Sequence, residues 1–423
     1  MSHLADDWPV DPICGFVAAS NIENIPGYSN WSCTINGSTA SDVCAWDGIV
    51  CSEGLISSIS LSNQDLFGTL SSLLGTITSL PTLAIVDSNL FSTLPDALGS
   101  LTGLTGMFLW ENSLTGTLPA VFGSLTDLAL LDLSGNSLNG TVPAELGFVS
   151  VLSVLYLFSN SFTGPLPSAF GSLTDLVSLA MFENAITGAL PSALSSLAGM
   201  SHLDLAFNSM TGTVPSSLGL LGNLTRLALY GNSFTGSLPV ALGSLTSLKE
   251  LLLNENSFTG LVPADALGAL SRLELVELYL NYLTGTIPDT LGSLVGLIGL
   301  GLGRNSFSGT VPTACGSLTS LERLVLNGNS LTGTIPDVLA SLSRLEAFVL
   351  FANSLTGSVP SVLGSLTGLT ELYLFEISLT GAVPASLGSL TNMKFMYLNF
   401  NSLTGTVPGE LGYLTGMQYL ELS

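Results

Sequence analysis

A period of 24 residues governs this chain. From Leu101 it reads LTGLTGMFLWENSLTGTLPAVFGS, and Leu125 begins the same pattern again. The consensus LxxLxxLxLxxNxLTGxxPxxLGS covers about 370 of the 423 residues. A fixed period of this length makes each repeat one supersecondary unit, which cannot bury its apolar face alone and is completed by the repeats stacked on it. Chain length therefore gives no domain count of the usual kind. The consensus Asn falls at Asn112, Asn136, Asn160, Asn184, Asn208, Asn232, Asn256, Asn281, Asn305, Asn329, Asn353 and Asn401, while Gln64, Ser88 and Ile377 take its place in three other turns. One repeat is a residue longer, with Ala264-Asp265-Ala266 before Leu267 where two residues normally suffice.

Each slot has a physical role. In the LxL segment, such as Met107-Phe108-Leu109, alternation sends the flanking residues inward and the middle one outward. The Asn amide can bond buried backbone groups where the strand turns away, and stacking it turn on turn builds an asparagine ladder. A Gly (Gly116, Gly140, Gly164) permits the tight bend. Pro follows at fourteen successive turns from Pro95 to Pro408, ending backbone pairing. The Leu-Gly pair, as at Leu98-Gly99 and Leu146-Gly147, then closes the turn. Fifteen such turns would give a parallel sheet roughly 70 Å long.

The repeats, with their T-G-x-[VIL]-P segment, resemble the plant-type leucine-rich repeats of receptor-kinase ectodomains and polygalacturonase inhibitors; similar Ser/Thr-rich arrays occur in algal proteins. The resemblance implies an α/β fold: a right-handed, curved leucine-rich-repeat solenoid with a concave parallel sheet, a short second sheet at the TGxxP segment and convex 3₁₀ turns. Cys44-Ala-Trp46-Asp-Gly48-Ile-Val-Cys51 matches the family's cap signature, C-x-W-x-G-[VI]-x-C. It implies a disulfide-stapled N-terminal cap over residues 1–54, followed by about fifteen repeats over 55–423, the last incomplete and without a closing cap. Of the three connectivities that four cysteines permit, the resemblance implies Cys44–Cys51 with Cys14–Cys33. With only His3 nearby, a zinc site is a poor alternative. Cys315 stands where neighbouring turns have Leu291 and Leu339, and is expected to be a buried free thiol. The abrupt end at Leu420-Glu421-Leu422-Ser423 suggests a piece of something longer.

Thirty acids against seven bases leave a net charge of −23 with no acidic tail to hold it. Such a surface repels nucleic-acid phosphates and favours cationic or neutral partners. Mean hydropathy is positive, yet no apolar stretch reaches the roughly 18 residues of a spanning helix, so a membrane is met only through a segment absent here. Four cysteines within the first 51 residues and the sequons at Asn30, Asn36, Asn139 and Asn223 indicate an extracellular location. No signal peptide precedes them, which suggests prior removal.

Candidate ligand contacts line the outward strand positions. The slot after LxL holds Trp110, Phe158, Phe182, Tyr230, Tyr279, Phe351 and Phe375; the slot inside it holds Phe108, Tyr156, Tyr373 and Tyr397. Acids stand beside them: Glu111, Asp132, Glu183, Asp204, Glu255, Glu277, Glu376 and Glu421. Rings with adjacent carboxylates suit a sugar, or a peptide or protein segment bearing Lys or Arg. They also suit plain cross-strand stacking without a ligand. Two lateral Thr columns, one through Thr115, Thr163, Thr187 and Thr211 and another through Thr117, Thr141 and Thr213, resemble ice-binding surfaces or a wall for self-association in a coat or fibre; Pro165, Ala189, Leu261 and Ala382 break the second. Ser178, His202 and Asp204 fall on neighbouring strands, but an open sheet offers no oxyanion donors, so no catalytic role is assigned. His202 is expected to bond Ser178 or stack near Arg226. Asp87 and Glu111 occupy equivalent slots without the spacing of a calcium loop, so neither metal nor cofactor is expected.

Overall fold

From Gly106 to Tyr413 each repeat folds as a short strand, a corner, a second short strand and a tight helical turn, while the two turns before it lack the second strand. The computed structural model of the protein describes Cys44 and residues 47–53, 55–63 and 65–422. Cys14, Cys33, Asn30, Asn36 and most of the segment 1–54 lie outside the described residues. The chain forms two compact units, Met1–Met210 and Thr211–Ser423.

In the first unit, strands Thr82–Val86, Gly106–Phe108, Leu130–Asp132, Val154–Tyr156, Ser178–Ala180 and His202–Asp204 pair in parallel. The register advances by one repeat, with Leu130 beside Val154 and Val154 beside Ser178. The ladder begins at Leu55–Ser62, which pairs in parallel with Thr82–Val86 and antiparallel with Ile49–Ser52. That antiparallel strand covers an edge whose N–H and C=O groups would otherwise stand open. A Cys44–Cys51 disulfide ties it to the preceding chain.

The second unit continues the pattern from Arg226–Ala228 through Glu250–Leu252, Leu275–Glu277, Gly299–Gly301 and Arg323–Val325 to Tyr419–Glu421, again all parallel. A second sheet forms at the TGxxP segment in both units, for example Ser137–Thr141 beside Ser161–Pro165 and Tyr282–Thr286 beside Ser306–Thr310. At its bend Gly140 has φ +74°, a conformation that costs a side-chain-bearing residue energy.

Proline starts the helical turn. Pro143 sits at φ −70° and ψ 133°, and Ala144–Phe148 is a 3₁₀ helix whose Leu146 N–H donates to the Pro143 carbonyl three residues back. The longer repeat departs from this: Ala264–Gly268 is α-helical, and the Leu267 N–H reaches the Pro263 carbonyl four residues back. The additional residue widens the hydrogen-bonded ring by one step. Successive helical turns stack closely at the Leu-Gly pair, where a Cβ on Gly123 would lie 2.4 Å from the Glu145 carbonyl oxygen.

The core is a thin column of leucines, most of them fully buried, filled out by Phe122, Phe162 and Phe170 in the first unit and Phe234, Phe258, Phe307 and Phe348 in the second. Beside it runs the asparagine ladder. In a representative turn, Asn136 Nδ2 donates to the carbonyls of Leu109 (2.9 Å) and Leu133 (3.1 Å), and Oδ1 accepts from the Leu114 N–H (3.0 Å). Each rung thus answers backbone groups of its own turn and the preceding one. Ile377 interrupts the ladder with a buried apolar side chain. Cys315 is buried as expected, and burial pushes its thiol up to about 12, which keeps it unreactive.

Candidate ligand-binding face

Alternation along each strand decides which side chains leave the core. In Val154–Tyr156, Leu155 is buried while Val154 and Tyr156 are half-buried, and Glu371–Tyr373 and Phe395–Tyr397 repeat the pattern. The predicted aromatic residues stand on this outward face and gather within each unit. In the first, the rings of Phe158 and Phe182 stack 4.4 Å apart at 8°, and Tyr156 tilts against Phe158 at 6.0 Å. The Ser178 hydroxyl donates to Tyr156 Oη at 3.2 Å. Phe108 lies over Gly106, and Trp110 is 37% exposed. In the second unit, Phe351 stacks on Phe375 at 4.3 Å and Tyr373 on Tyr397 at 5.2 Å, with Phe375 edge-on to Tyr397. Tyr230 and Tyr279 are half-buried on the same face. A further stack, Phe395 on Tyr419 at 5.7 Å, lies one slot earlier and escaped the sequence reading, which followed only the two slots around LxL.

The acids occupy two distinct places. Glu111 (φ +52°), Glu183 (φ +54°) and Glu255 (φ +56°) sit on the corner before the ladder asparagine, a left-handed position that Gly135 and Gly328 fill in other turns. Glu183 accepts from Ser159 Oγ at 2.7 Å, and Glu255 accepts from Tyr279 Oη at 3.4 Å. Burial pushes the Tyr279 hydroxyl above its ordinary range, with Glu255 and Glu277 adding to the effect.

Asp132, Asp204 and Glu277 instead end their strands. Asp132 accepts from the hydroxyl (2.6 Å) and N–H (3.0 Å) of Ser134; burial pushes its carboxyl up and these bonds pull it back. Asp204 accepts from the Ala206 N–H at 3.2 Å.

Glu277 departs from expectation: placed by its sequence slot among exposed acids, it is only 7% exposed. The reason lies one turn away, where Gly299 and Gly301 leave the outward positions empty. The Glu277 side chain folds into that space, and a Cβ on Gly301 would stand 1.7 Å from its Oε2. Arg323 Nη2 approaches Oε1 at 3.6 Å, while Oε2 has no hydrogen-bond partner. Burial pushes the Glu277 carboxyl up, and Arg323 pulls it back. Neither Arg323 nor Arg304 was singled out in the sequence; the run Gly299-Leu-Gly301-Leu-Gly303-Arg304 was the available signal.

The residues weighed for catalysis do not converge. Ser178 turns its hydroxyl to Tyr156, and His202, in register with Ser178 on the next strand, pairs its Nδ1 with Ser201 Oγ at 2.7 Å. The Thr columns have structural work of their own. Thr332, Thr356 and Thr380 each donate to a glycine carbonyl of the preceding turn at 3.2 Å. Across the second column, methyls such as those of Thr117 and Thr141 cover the glycine of the following turn. Among the described residues, no three His, Cys, Asp or Glu stand together as a metal site, and no helix is long and apolar enough to cross a membrane.

Comparison with known proteins sets this geometry in context. The Leucine Rich Repeat family model matches residues 127–149, 151–173, 223–245 and 320–342. The plant peptide hormone receptor RGFR1, solved in complex with RGF2, is 31% identical over 88% of this chain and 67% of its own, with a TM-score of 0.80. A TDR receptor is 29% identical over 87% and 67%, with a TM-score of 0.76. A Leptospira interrogans LRR protein is 30% identical over 85% of this chain and 88% of its own, with a TM-score of 0.69.

Proposed function

The chain belongs to the leucine-rich-repeat family, and we propose that it is a non-catalytic recognition module, binding an extended peptide or protein segment along the outward face of its parallel strands. The observation that carries this reading is the pair of aromatic groups, Phe158–Phe182 with Tyr156 and Phe351–Phe375 with Tyr373 and Tyr397, held on the outward face. Stacked rings cover one another's faces and leave edges outward, and edges carry the positive part of the ring quadrupole. Peptide carbonyl oxygens meet such edges well, whereas a sugar ring needs an open face. The solved complex of RGFR1 with RGF2 makes a peptide ligand the natural first candidate here. The acid corners at Glu111, Glu183 and Glu255 add a preference for ligands carrying positive charge. An extracellular or cell-surface setting agrees with the receptor ectodomains among its relatives and with exposed sequons at Asn139 and Asn223.

A random 12-residue peptide display library, selected on the immobilised protein, tests the reading. Replacing Phe158, Phe182, Phe351 and Phe375 with Ser should lower affinity for the selected peptides tenfold or more. The lost stacking costs about 0.5–1.5 kcal/mol per pair, so the variant should remain folded by circular dichroism. Thr187→Glu with Thr235→Glu should leave binding intact. Peptides indifferent to the four Ser replacements but lost with the Thr pair would move the working surface to the lateral wall.

A further inference from the structure

Gly299, Gly301 and Gly303 give one turn an outward surface of bare main chain, while the intervening Leu300 and Leu302 belong to the core. This turn lies between strands Leu275–Glu277 and Arg323–Val325. Glu277 fills the space over Gly301, and beside it, at Gly303, lies a hollow of about 260 Å³, lined by Glu277, Tyr279, Gly303, Arg304, Arg323 and Asn327 among others.

The wall of the hollow holds an unanswered acceptor. Glu277 is 7% exposed, its Oε2 has no partner, and the 3.6 Å approach of Arg323 to Oε1 is too long for a hydrogen bond. A buried polar atom left in this way costs free energy until a donor arrives. The terminal torsion of a glutamate is broad, and rotation about it carries both oxygens together, so the carboxylate can present one of them to a donor in the hollow. The lining also holds Arg323, beside Glu277, and Arg304, two of only seven basic residues in the chain.

Charge narrows the occupant. A ligand Lys or Arg would meet two guanidiniums, and a ligand carboxylate would meet the under-bonded Glu277. A primary carboxamide is neutral, donates through its NH₂ and accepts through its carbonyl, and so answers both the carboxylate and a guanidinium. We propose that this hollow reads a Gln or Asn side chain of a peptide lying on the strand face, its N–H donating to Glu277 and its carbonyl accepting from Arg323 or Arg304. The inference rests on the peptide reading above and assigns it one specificity position.

Saturation-transfer NMR on the full chain provides the test, with N-acetyl-Gly-X-Gly-N-methylamide tripeptides, whose blocked ends carry no primary carboxamide, in which X is Gln, Asn, Glu, Lys or Leu, and with methyl glucopyranoside. Gln or Asn should respond most strongly. Gly301→Ala, whose Cβ displaces Glu277, and Glu277→Leu, which removes the acceptor without stranding a charge, should each weaken that response tenfold or more. Thr187→Glu, on the lateral Thr column, should not change it. Equal responses for every X, no response, a stronger response to Glu, Lys or the glucoside, or an unchanged response in both variants would overturn the proposal. Were Gly301→Ala to unfold, Glu277→Leu alone would decide. The Gly301 and Glu277 variants leave Phe158, Phe182, Phe351 and Phe375 in place, so a failure here leaves the strand-face reading standing, and loss of selected peptides in the Ser variant bears on that reading alone.

Discussion

Asn256 concentrates the logic of the repeat in one side chain. It is 8% exposed, its Nδ2 donates to the carbonyls of Leu229, Leu253 and Asn254 at 3.0–3.2 Å, and its Oδ1 accepts from the Phe234 N–H at 2.9 Å. Asn256→Ala strands several of these groups away from water. At about 1–3 kcal/mol for each buried group left unpaired, the loss should reach at least roughly 3 kcal/mol, measured by urea unfolding. A loss under about 1 kcal/mol would mean that water replaces the amide. This role was legible in the sequence because the asparagine recurs at a fixed place in the period. The burial of Glu277 was not legible, since nothing in its own strand distinguishes it from Asp132 or Asp204. What sinks it is the absence of side chains at Gly299 and Gly301, one turn further along the chain.

Among the elements, the turn Ala264–Gly268 isolates the effect of a single residue. Its extra residue converts a 3₁₀ bond from Leu to Pro into an α bond, while Leu267 stays fully buried like Leu242 and Leu291 on either side. Deleting Asp265 restores Pro-x-x-Leu-Gly, so the deletion variant should fold, with its melting temperature within a few degrees of the parent. Local hydrogen exchange in residues 263–268 should report the tighter turn. A fall of more than about 10 °C would show that the neighbouring turns have adapted to the α form; for large chains about 1 kcal/mol corresponds to only a few degrees. The tertiary arrangement also settled the standing of the two exposed columns. Aromatic side chains two dozen residues apart align in Phe158–Phe182, Phe351–Phe375 and Tyr373–Tyr397, where each ring gives one face to its neighbour. The Thr hydroxyls, which looked free to meet ice or a second molecule, are partly engaged by glycine carbonyls of the preceding turn.

At the scale of the whole molecule, charge rather than packing sets the sensitivity to conditions. A net charge of −23 is spread over the repeats, and ion pairs such as Arg226–Glu250 and Lys249–Glu274 are few because the chain has only seven bases. Folding draws those acids together, so self-repulsion opposes it. Raising NaCl from about 0.01 to about 0.15 M shortens the screening length from roughly 30 to roughly 8 Å, and the melting temperature should rise by several degrees. An unchanged or lower value would show that the few attractive pairs outweigh the repulsion.

The sequence by itself determined the repeat and its period, the asparagine ladder, the leucine column and the outward direction of the aromatic residues. All of these follow from alternation and spacing within one turn. Only the tertiary structure decided which outward groups remain available: the rings that cover each other, the Thr donors already in use, the buried Glu277 and the hollow beside it. The physical reason is that a side chain's direction is set by its own backbone, whereas its surroundings are set by residues about 24 positions away that only stacking brings alongside.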